Sequence, residues 1–150
     1  MKKIKYLVIT LLALLVVTGC GSSKKLTCTK EESSSGIDMK QTITVNFNKD
    51  KVSKVKLSLN SKATDENIKS NWNLFSEALG KQFSSSSKEG IKITTKDDSK
   101  NYTYLIELEI DVNKAKKEDL EDYDMEDILD SNESYSDLKK EFEEQGYSCK

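Results

Sequence analysis

The chain has 150 residues, of which 26 are acidic and 24 basic, and its formal net charge is −2. Every basic residue is a lysine and there is no histidine, so the usual general base near neutral pH and the commonest metal ligand are missing. Without arginine, the guanidinium fork of phosphate and nucleic-acid sites is missing too. The composition disfavours nucleic-acid binding and predicts a non-enzymatic protein without a cofactor.

The N-terminus has the pattern of an export signal. Three lysines precede residues 6–17, which are apolar except for Thr10. A helix of this length spans roughly 18 Å, less than the hydrocarbon core of about 30 Å. This favours a cleaved signal over a permanent membrane span. The apolar run ends at Val17-Thr18-Gly19-Cys20.

Val17-Thr18-Gly19-Cys20 resembles the lipobox of bacterial lipoproteins. The resemblance implies a diacylglyceryl group, with chains such as palmitate, on Cys20, and a mature chain on the extracytoplasmic face of the cell membrane. Two acyl chains hold a protein stably where one chain gives only marginal attachment. We therefore predict a signal peptide (1–19), a lipidated tether (20–25) and one domain (26–150). An ordinary signal peptide with an incidental cysteine is the alternative.

With Cys20 lipidated, two cysteines remain, Cys28 and Cys149. An even pair in an extracytoplasmic protein predicts a disulfide. Closing a loop of about 120 residues is worth roughly 5 kcal/mol in the chain-entropy treatment. The alternative is a pair of free thiols.

Alternating apolar and polar residues predict two β-hairpins. A short first strand at residues 26–29 ends in a loop. Residues 37–47 and 55–59 then form the first hairpin, and residues 91–93 and 102–112 the second.

Between the hairpins the apolar period becomes helical. Five residues form the stripe: Ile68, Trp72, Phe75, Leu79 and Phe83. We predict that Thr64 is the N-cap and that this helix packs on the sheet. A short helix at residues 136–145 follows and stops at Gly146. The predicted class is α+β, with an antiparallel sheet in ββαββ order, one main helix on one face, and an acidic C-terminal helical segment.

Residues 118–133 contain nine acids and no lysine. Five of the acids match positions 1, 3, 5, 9 and 12 of an EF-hand-like loop: Asp122, Asp124, Glu126, Asp130 and Glu133. Asp127 stands where the sharp turn needs glycine. We interpret the segment as a solvated acidic surface, and a calcium-dependent surface protein is the alternative.

Acids also alternate along the second hairpin, at Glu107, Glu109 and Asp111. Paired carboxylates carry out glycoside hydrolysis. Alternation on the water-facing side of a strand is the simpler interpretation, and we place no catalytic residue here.

The charge is unevenly distributed. Residues 21–106 carry 15 lysines and 10 acids, whereas residues 107–144 carry 5 lysines and 16 acids. On a chain anchored at Cys20, the basic part would face anionic lipid or wall polymer.

The whole chain resembles the small YehR-like lipoproteins of bacteria. The resemblance rests on the lipobox, the turn Phe47-Asn48-Lys49-Asp50-Lys51, the pair Gly90-Ile91 and the end Gly146-Tyr147. It implies one anchored α+β domain and assigns no site residue.

Three functions stay open beside the calcium alternative. The first is a non-catalytic module that binds an unknown protein or envelope partner. The second is a small-ligand carrier with a pocket between the helix and the sheet. The third is an inhibitor or immunity-type lipoprotein.

Overall fold

The computed structural model describes residues 23–121 and 134–150. The strands are β1 (Lys25–Ser34), β2 (Ile37–Asn48), β3 (Lys51–Ala63), β4 (Ser86–Lys88), β5 (Ile91–Asp98), β6 (Thr103–Asp111) and β7 (Ser148–Cys149). The helices are α1 (Glu66–Ser70), α2 (Trp72–Gln82) and α3 (Tyr135–Glu144), with a 3-10 helix at Lys117–Asp119. These strands form one antiparallel sheet in the order β4-β5-β6-β3-β2-β1-β7.

The α+β class and the antiparallel sheet are confirmed, but the predicted ββαββ order with one main helix is not what the structure has. Three strands precede α1 and α2, three follow them, and α3 and β7 complete the described chain. The difference comes from strands β1, β4 and β7, which the predicted order lacks, and from a break in the helical stripe.

The first strand is longer than its apolar pattern indicates. β1 continues to Ser34 and pairs with β2 along its whole length. Polar pairs across the two strands support the extension, with Glu31 bound to Lys40 at 2.7 Å and Ser33 donating to Asp38 at 2.7 Å. The residues predicted as a loop therefore form the second half of β1, within the β1–β2 hairpin.

The β1–β2 and β2–β3 hairpins both turn through residues with left-handed backbone conformation. Ser35 and Gly36 have φ of 51° and 76°, and Lys49 and Asp50 have φ of 51° and 63°. Two successive positive φ angles match the twist of the flanking strands. Gly36 is also required by space, because a Cβ there would lie 2.3 Å from the Cβ of Asp65.

The helical stripe is divided into two helices. Asp65, not Thr64, is the N-cap, and its carboxylate accepts from the N–H of Asn67 at 2.8 Å. At Asn71 the side-chain amide donates to the carbonyl of Asn67 at 2.8 Å. Such side-chain bonds to the backbone compete with regular helix, and α2 begins at the next residue.

One face of the sheet carries two apolar clusters. Tyr104 and Ile106 belong to the cluster beneath α1 and α2, which also contains the whole predicted stripe. Leu108 and Ile110 belong to the cluster beneath α3. Since these four residues alternate along β6, both clusters lie on the same face.

The second cluster is covered by α3. The ring centroid of Tyr135, the first residue of α3, lies 5.7 Å from that of Phe47. Leu138 and Phe142 of the same helix also pack against the cluster. Leu120, near the start of the acidic segment of residues 118–133, is fully buried in the same cluster. The predicted stop is confirmed, because Gly146 follows α3 with φ of 87°.

A disulfide joins the neighbouring strands β1 and β7 within this cluster. Cys28 and Cys149 are bonded, and their Cα atoms are 4.1 Å apart. The neighbouring pair, Thr27 and Lys150, exchanges two backbone hydrogen bonds of 2.9 Å. The cysteines therefore occupy the non-hydrogen-bonded position, where side chains of opposed strands are closest. The predicted disulfide is confirmed.

None of the helices within the described ranges has the length and apolar composition that crossing a bilayer requires.

We expect the Cys28→Ser/Cys149→Ser variant to lose about 2–5 kcal/mol of unfolding free energy, because its unfolded chain is no longer cross-linked. The measurement is urea unfolding of the full chain. A reducing agent should destabilise the wild-type protein by the same amount and leave the variant unchanged. Equal stability of the wild type with and without the reductant would contradict the expectation.

We also expect Trp72→Ala to cost about 3–5 kcal/mol, since a large buried side chain leaves a cavity. Trp72 is 2% exposed, and Leu74 on the same helix is 69% exposed. Leu74→Ala is therefore the matched control, with a change within about 0.5 kcal/mol. Unfolding midpoints measure both, and similar losses in the two variants would rule out this placement of the core.

Candidate functional site: a lysine groove on the open sheet face

The second face of the sheet is polar. Cross-strand register places Thr27, Thr44, Lys56, Glu109 and Lys92 in one row across β1, β2, β3, β6 and β5. These residues alternate with the buried residues of the same strands, so they point away from the two apolar clusters. The helices of residues 66–82 and 135–144 pack on the apolar face.

Lys56 is the centre of this row. Its ammonium lies 2.8 Å from a carboxylate oxygen of Glu107 and 3.2 Å from one of Glu109. The hydrogen bond with Glu107 raises the pKa of Lys56 above its ordinary 10.5, partial burial opposes this, and the bond with Glu109 adds to it. Two of the three alternating acids of β6 thus bind one lysine.

Beside this ion pair, at one end of the open face, lies a groove of about 360 Å³. We call it the lysine groove. Its charged residues are Lys54, Lys56, Lys88, Lys92, Lys114, Glu109 and Asp111. Five lysines against two acids give a net charge of +3. The amide of Asn46 and the hydroxyl of Ser87 add polar groups that can donate hydrogen bonds.

The lysines differ in how far they are neutralised. Lys88 lies 2.9 Å from Asp119, and Lys114 lies 3.9 Å from Asp111, the limit of an ion pair. Within residues 23–121 and 134–150, neither Lys54 nor Lys92 has a carboxylate within ion-pair distance. Asp111 lies opposite Lys54 and Glu109 lies opposite Lys92 across the strands. Among the described residues, however, the groove presents these two ammonium groups to a ligand without a direct ion pair.

A tight turn forms one wall of the groove. Gly90 connects β4 and β5 with φ of 76°, and its carbonyl accepts from the N–H of Asp111 at 2.7 Å. A Cβ at Gly90 would lie 2.3 Å from the backbone nitrogen of Ala115. The chain after β6 thus crosses directly over Gly90, which places Lys114 at the rim.

The chain enters the sheet at the same end as the groove. Phe47 donates its N–H to the carbonyl of Lys24 at 2.8 Å, and the ammonium of Lys24 binds Asp50 at 2.8 Å. Lys25 lies opposite Asn46, a groove residue. The first described residues are therefore two strands away from Lys54.

The predicted site residues have two outcomes. Cys28 and Cys149 are brought together in the disulfide. Cys20 lies outside the described residues, as do the five acids of the EF-hand-like match, Asp122, Asp124, Glu126, Asp130 and Glu133. Among residues 23–121 and 134–150, no three Asp, Glu or Cys side chains cluster as metal ligands.

The carrier alternative requires a pocket between helix and sheet, and this contact is close. A Cβ at Gly80 of α2 would lie 3.3 Å from the hydroxyl of Tyr104. The indole of Trp72 donates to Asp97 at 2.9 Å. An apolar groove of about 360 Å³ does exist, but it lies at the surface beside the exposed Leu74 and the half-buried Phe75.

The lysine groove was not among the predicted sites. Its lysines come from β3, β4, β5 and the segment after β6, and no spacing along the chain connects them. The available signal is the alternation of Lys54 and Lys56 with Val55 and Leu57, which indicates a charged outer face.

Together these elements define an α+β domain whose seven-stranded antiparallel sheet is covered by helices on one face. No protein-family model and no curated protein matches the chain. A solved NMR structure of a protein from Streptococcus pneumoniae TIGR4 has the same fold, with a TM-score of 0.55 and 13% identity over 89% of this chain and 88% of that one. The resemblance to YehR-like lipoproteins stays a prediction.

The raised pKa of Lys56 leads to a pH-dependent prediction. A lysine whose folded pKa is raised adds stability below its unfolded pKa, and this stability disappears as the pH rises through the folded value. We expect Lys56→Met to destabilise the protein at neutral pH and to have less effect well above pH 10.5. Unfolding midpoints against pH measure the difference.

Lys54→Met is the matched control, because Lys54 lies on the same strand and face without a carboxylate partner among the described residues. Its effect should be small at every pH. A pH-independent effect of Lys56→Met would contradict the role of the ion pair.

Proposed function

We propose that this protein is a bacterial lipoprotein, anchored through a lipid on Cys20 to the extracytoplasmic face of the cell membrane. In this proposal its domain is a non-catalytic binding module for a partner at or near that surface. The observation that carries it is the disulfide between Cys28 and Cys149. Disulfides persist in oxidising compartments and are rare in the cytosol of most bacteria.

The position at which the chain enters the sheet supports an N-terminal anchor. The chain reaches β1 at the end of the sheet through Lys24 and Lys25, outside both apolar clusters. Five residues, 20–24, separate the proposed lipid from β1, and they span at most about 18 Å when extended. An anchor at Cys20 would hold this end of the domain close to the bilayer.

The open face supports binding as the activity. Lys54 and Lys92 extend from it without a carboxylate partner among the described residues. Glu107 and Glu109, the acids considered for hydrolysis, are both engaged by Lys56. A charged and regular surface of this kind recognises a partner of opposite charge.

The anchor is tested by metabolic labelling with an alkyne-tagged fatty acid in a bacterial host. The wild-type protein should carry the label and fractionate with membranes, and Cys20→Ser should lose the label. Cys28→Ser/Cys149→Ser is the matched control, because it removes two cysteines and should keep the label. Equal labelling of the wild type and Cys20→Ser would overturn the anchor.

A further inference from the structure

We propose that the lysine groove binds the phosphate groups of anionic phospholipid headgroups in the membrane that carries the anchor. The inference rests on the proposed lipid anchor and deepens it, since it names the partner and the site. In this arrangement the domain does not rotate freely on its tether. It lies with one end of its open face against the bilayer.

The chemistry of the groove fits a phosphate oxyanion. Lysine binds phosphate as a point charge, and Lys54 and Lys92 have no carboxylate partner among the described residues. Each of the two acids of the groove lies beside a lysine, Glu109 at 3.2 Å from Lys56 and Asp111 at 3.9 Å from Lys114. The amide of Asn46 and the hydroxyl of Ser87 can donate to further oxygens.

The place of the groove fits a membrane as the source of the phosphate. Lys25, Asn46, Lys54 and Asp111 form one row across β1, β2, β3 and β6. At about 4.8 Å per strand, Lys54 lies about 10 Å from the point where the chain enters the sheet. A tether of at most about 18 Å keeps the groove within reach of the headgroups.

The opposite end of the same strands provides an internal comparison. Lys62 of β3 and Lys96 of β5 lie on the open face, eight residues from Lys54 and four from Lys92. On β3 this is a separation of about 27 Å at 3.4 Å per residue. A membrane held at the groove end should therefore protect Lys114 and leave Lys100, in the turn at the other end, accessible.

The experiment uses the lipidated protein, purified from membranes and reconstituted into two kinds of vesicle. One kind is phosphatidylcholine alone, and the other is phosphatidylcholine and phosphatidylglycerol in equal parts. Lysines are acylated with an amine-reactive ester and quantified by mass spectrometry. In anionic vesicles we expect Lys114 acylation to fall about fivefold relative to Lys100, and 1 M salt should restore it, because the screening length is then about 3 Å.

Two double variants with equal charge removal test the site. Lys54→Gln/Lys92→Gln should bring Lys114 acylation in anionic vesicles to within about twofold of its value in neutral ones. Lys62→Gln/Lys96→Gln should keep the full protection. Both replace exposed side chains, and circular dichroism checks that they fold. Protection that survives the first pair, or is lost in the second, overturns the groove as the site.

The remaining outcomes separate the causes of failure. Protein that floats with neutral vesicles but shows equal Lys114 acylation in both kinds overturns the groove and leaves the anchor in place. Protein that does not float with neutral vesicles overturns the anchor, and with it the membrane as occupant. Protection of Lys114 by millimolar inorganic phosphate in neutral vesicles would assign the groove to free phosphate and overturn the lipid headgroup.

Discussion

The register of β3 with its two neighbours determines where every other element lies. β3 is the strand between β2 and β6, with Val55 opposite Val45 and Ile110, and Lys56 opposite Thr44 and Glu109. A slip of one residue would turn Lys56 toward the apolar face and Val55 toward water. A buried ammonium without its carboxylates is expensive, so the two faces enforce the same register from opposite sides.

Burial on one face alone explains the arrangement of the helices. α1 and α2 cover one end of that face and α3 covers the other, so two helical units share one sheet. The other face keeps its charges in water, as antiparallel sheets commonly do. The position of the lysine groove is thus a result of the strand register, and its closeness to the N-terminal end of β1 follows from β1 lying beside β2.

The sequence predicted those elements that contribute apolar side chains to a cluster. Packing directly determines the alternation in β2, β3, β5 and β6 and the helical stripe through Trp72. Both patterns can therefore be recognised in the amino-acid sequence. The second half of β1 and the strand β4 are held by backbone pairing and carry mostly polar residues. Such strands depend on their neighbours, and no local pattern reveals them.

The same reasoning applies to the sites. The disulfide could be predicted because only two cysteines remain after Cys20, and pairing them needs no geometry. The lysine groove could not, because Lys54, Lys92 and Lys114 become neighbours only through the order of β3, β6 and β5 in the sheet. The N-cap was placed one residue early, since Thr64 and Asp65 are both good caps and only the chain path past Gly36 distinguishes them.

The pairing of β7 with β1 sets an order of assembly. The hairpins of β1 with β2, β2 with β3, and β5 with β6 join residues that are close in sequence, whereas Cys28 and Cys149 are 121 residues apart. Because long loops close slowly, the hairpins can form while the outer edge of β1 is still unpaired. Such an edge is a template for pairing with other chains. β7 and Lys150 cover it at residues 27 to 29, and beyond them Lys30, Glu31 and Glu32 keep it charged. Until the final strand pairs, the charges of the first strand therefore protect this edge against pairing with other chains.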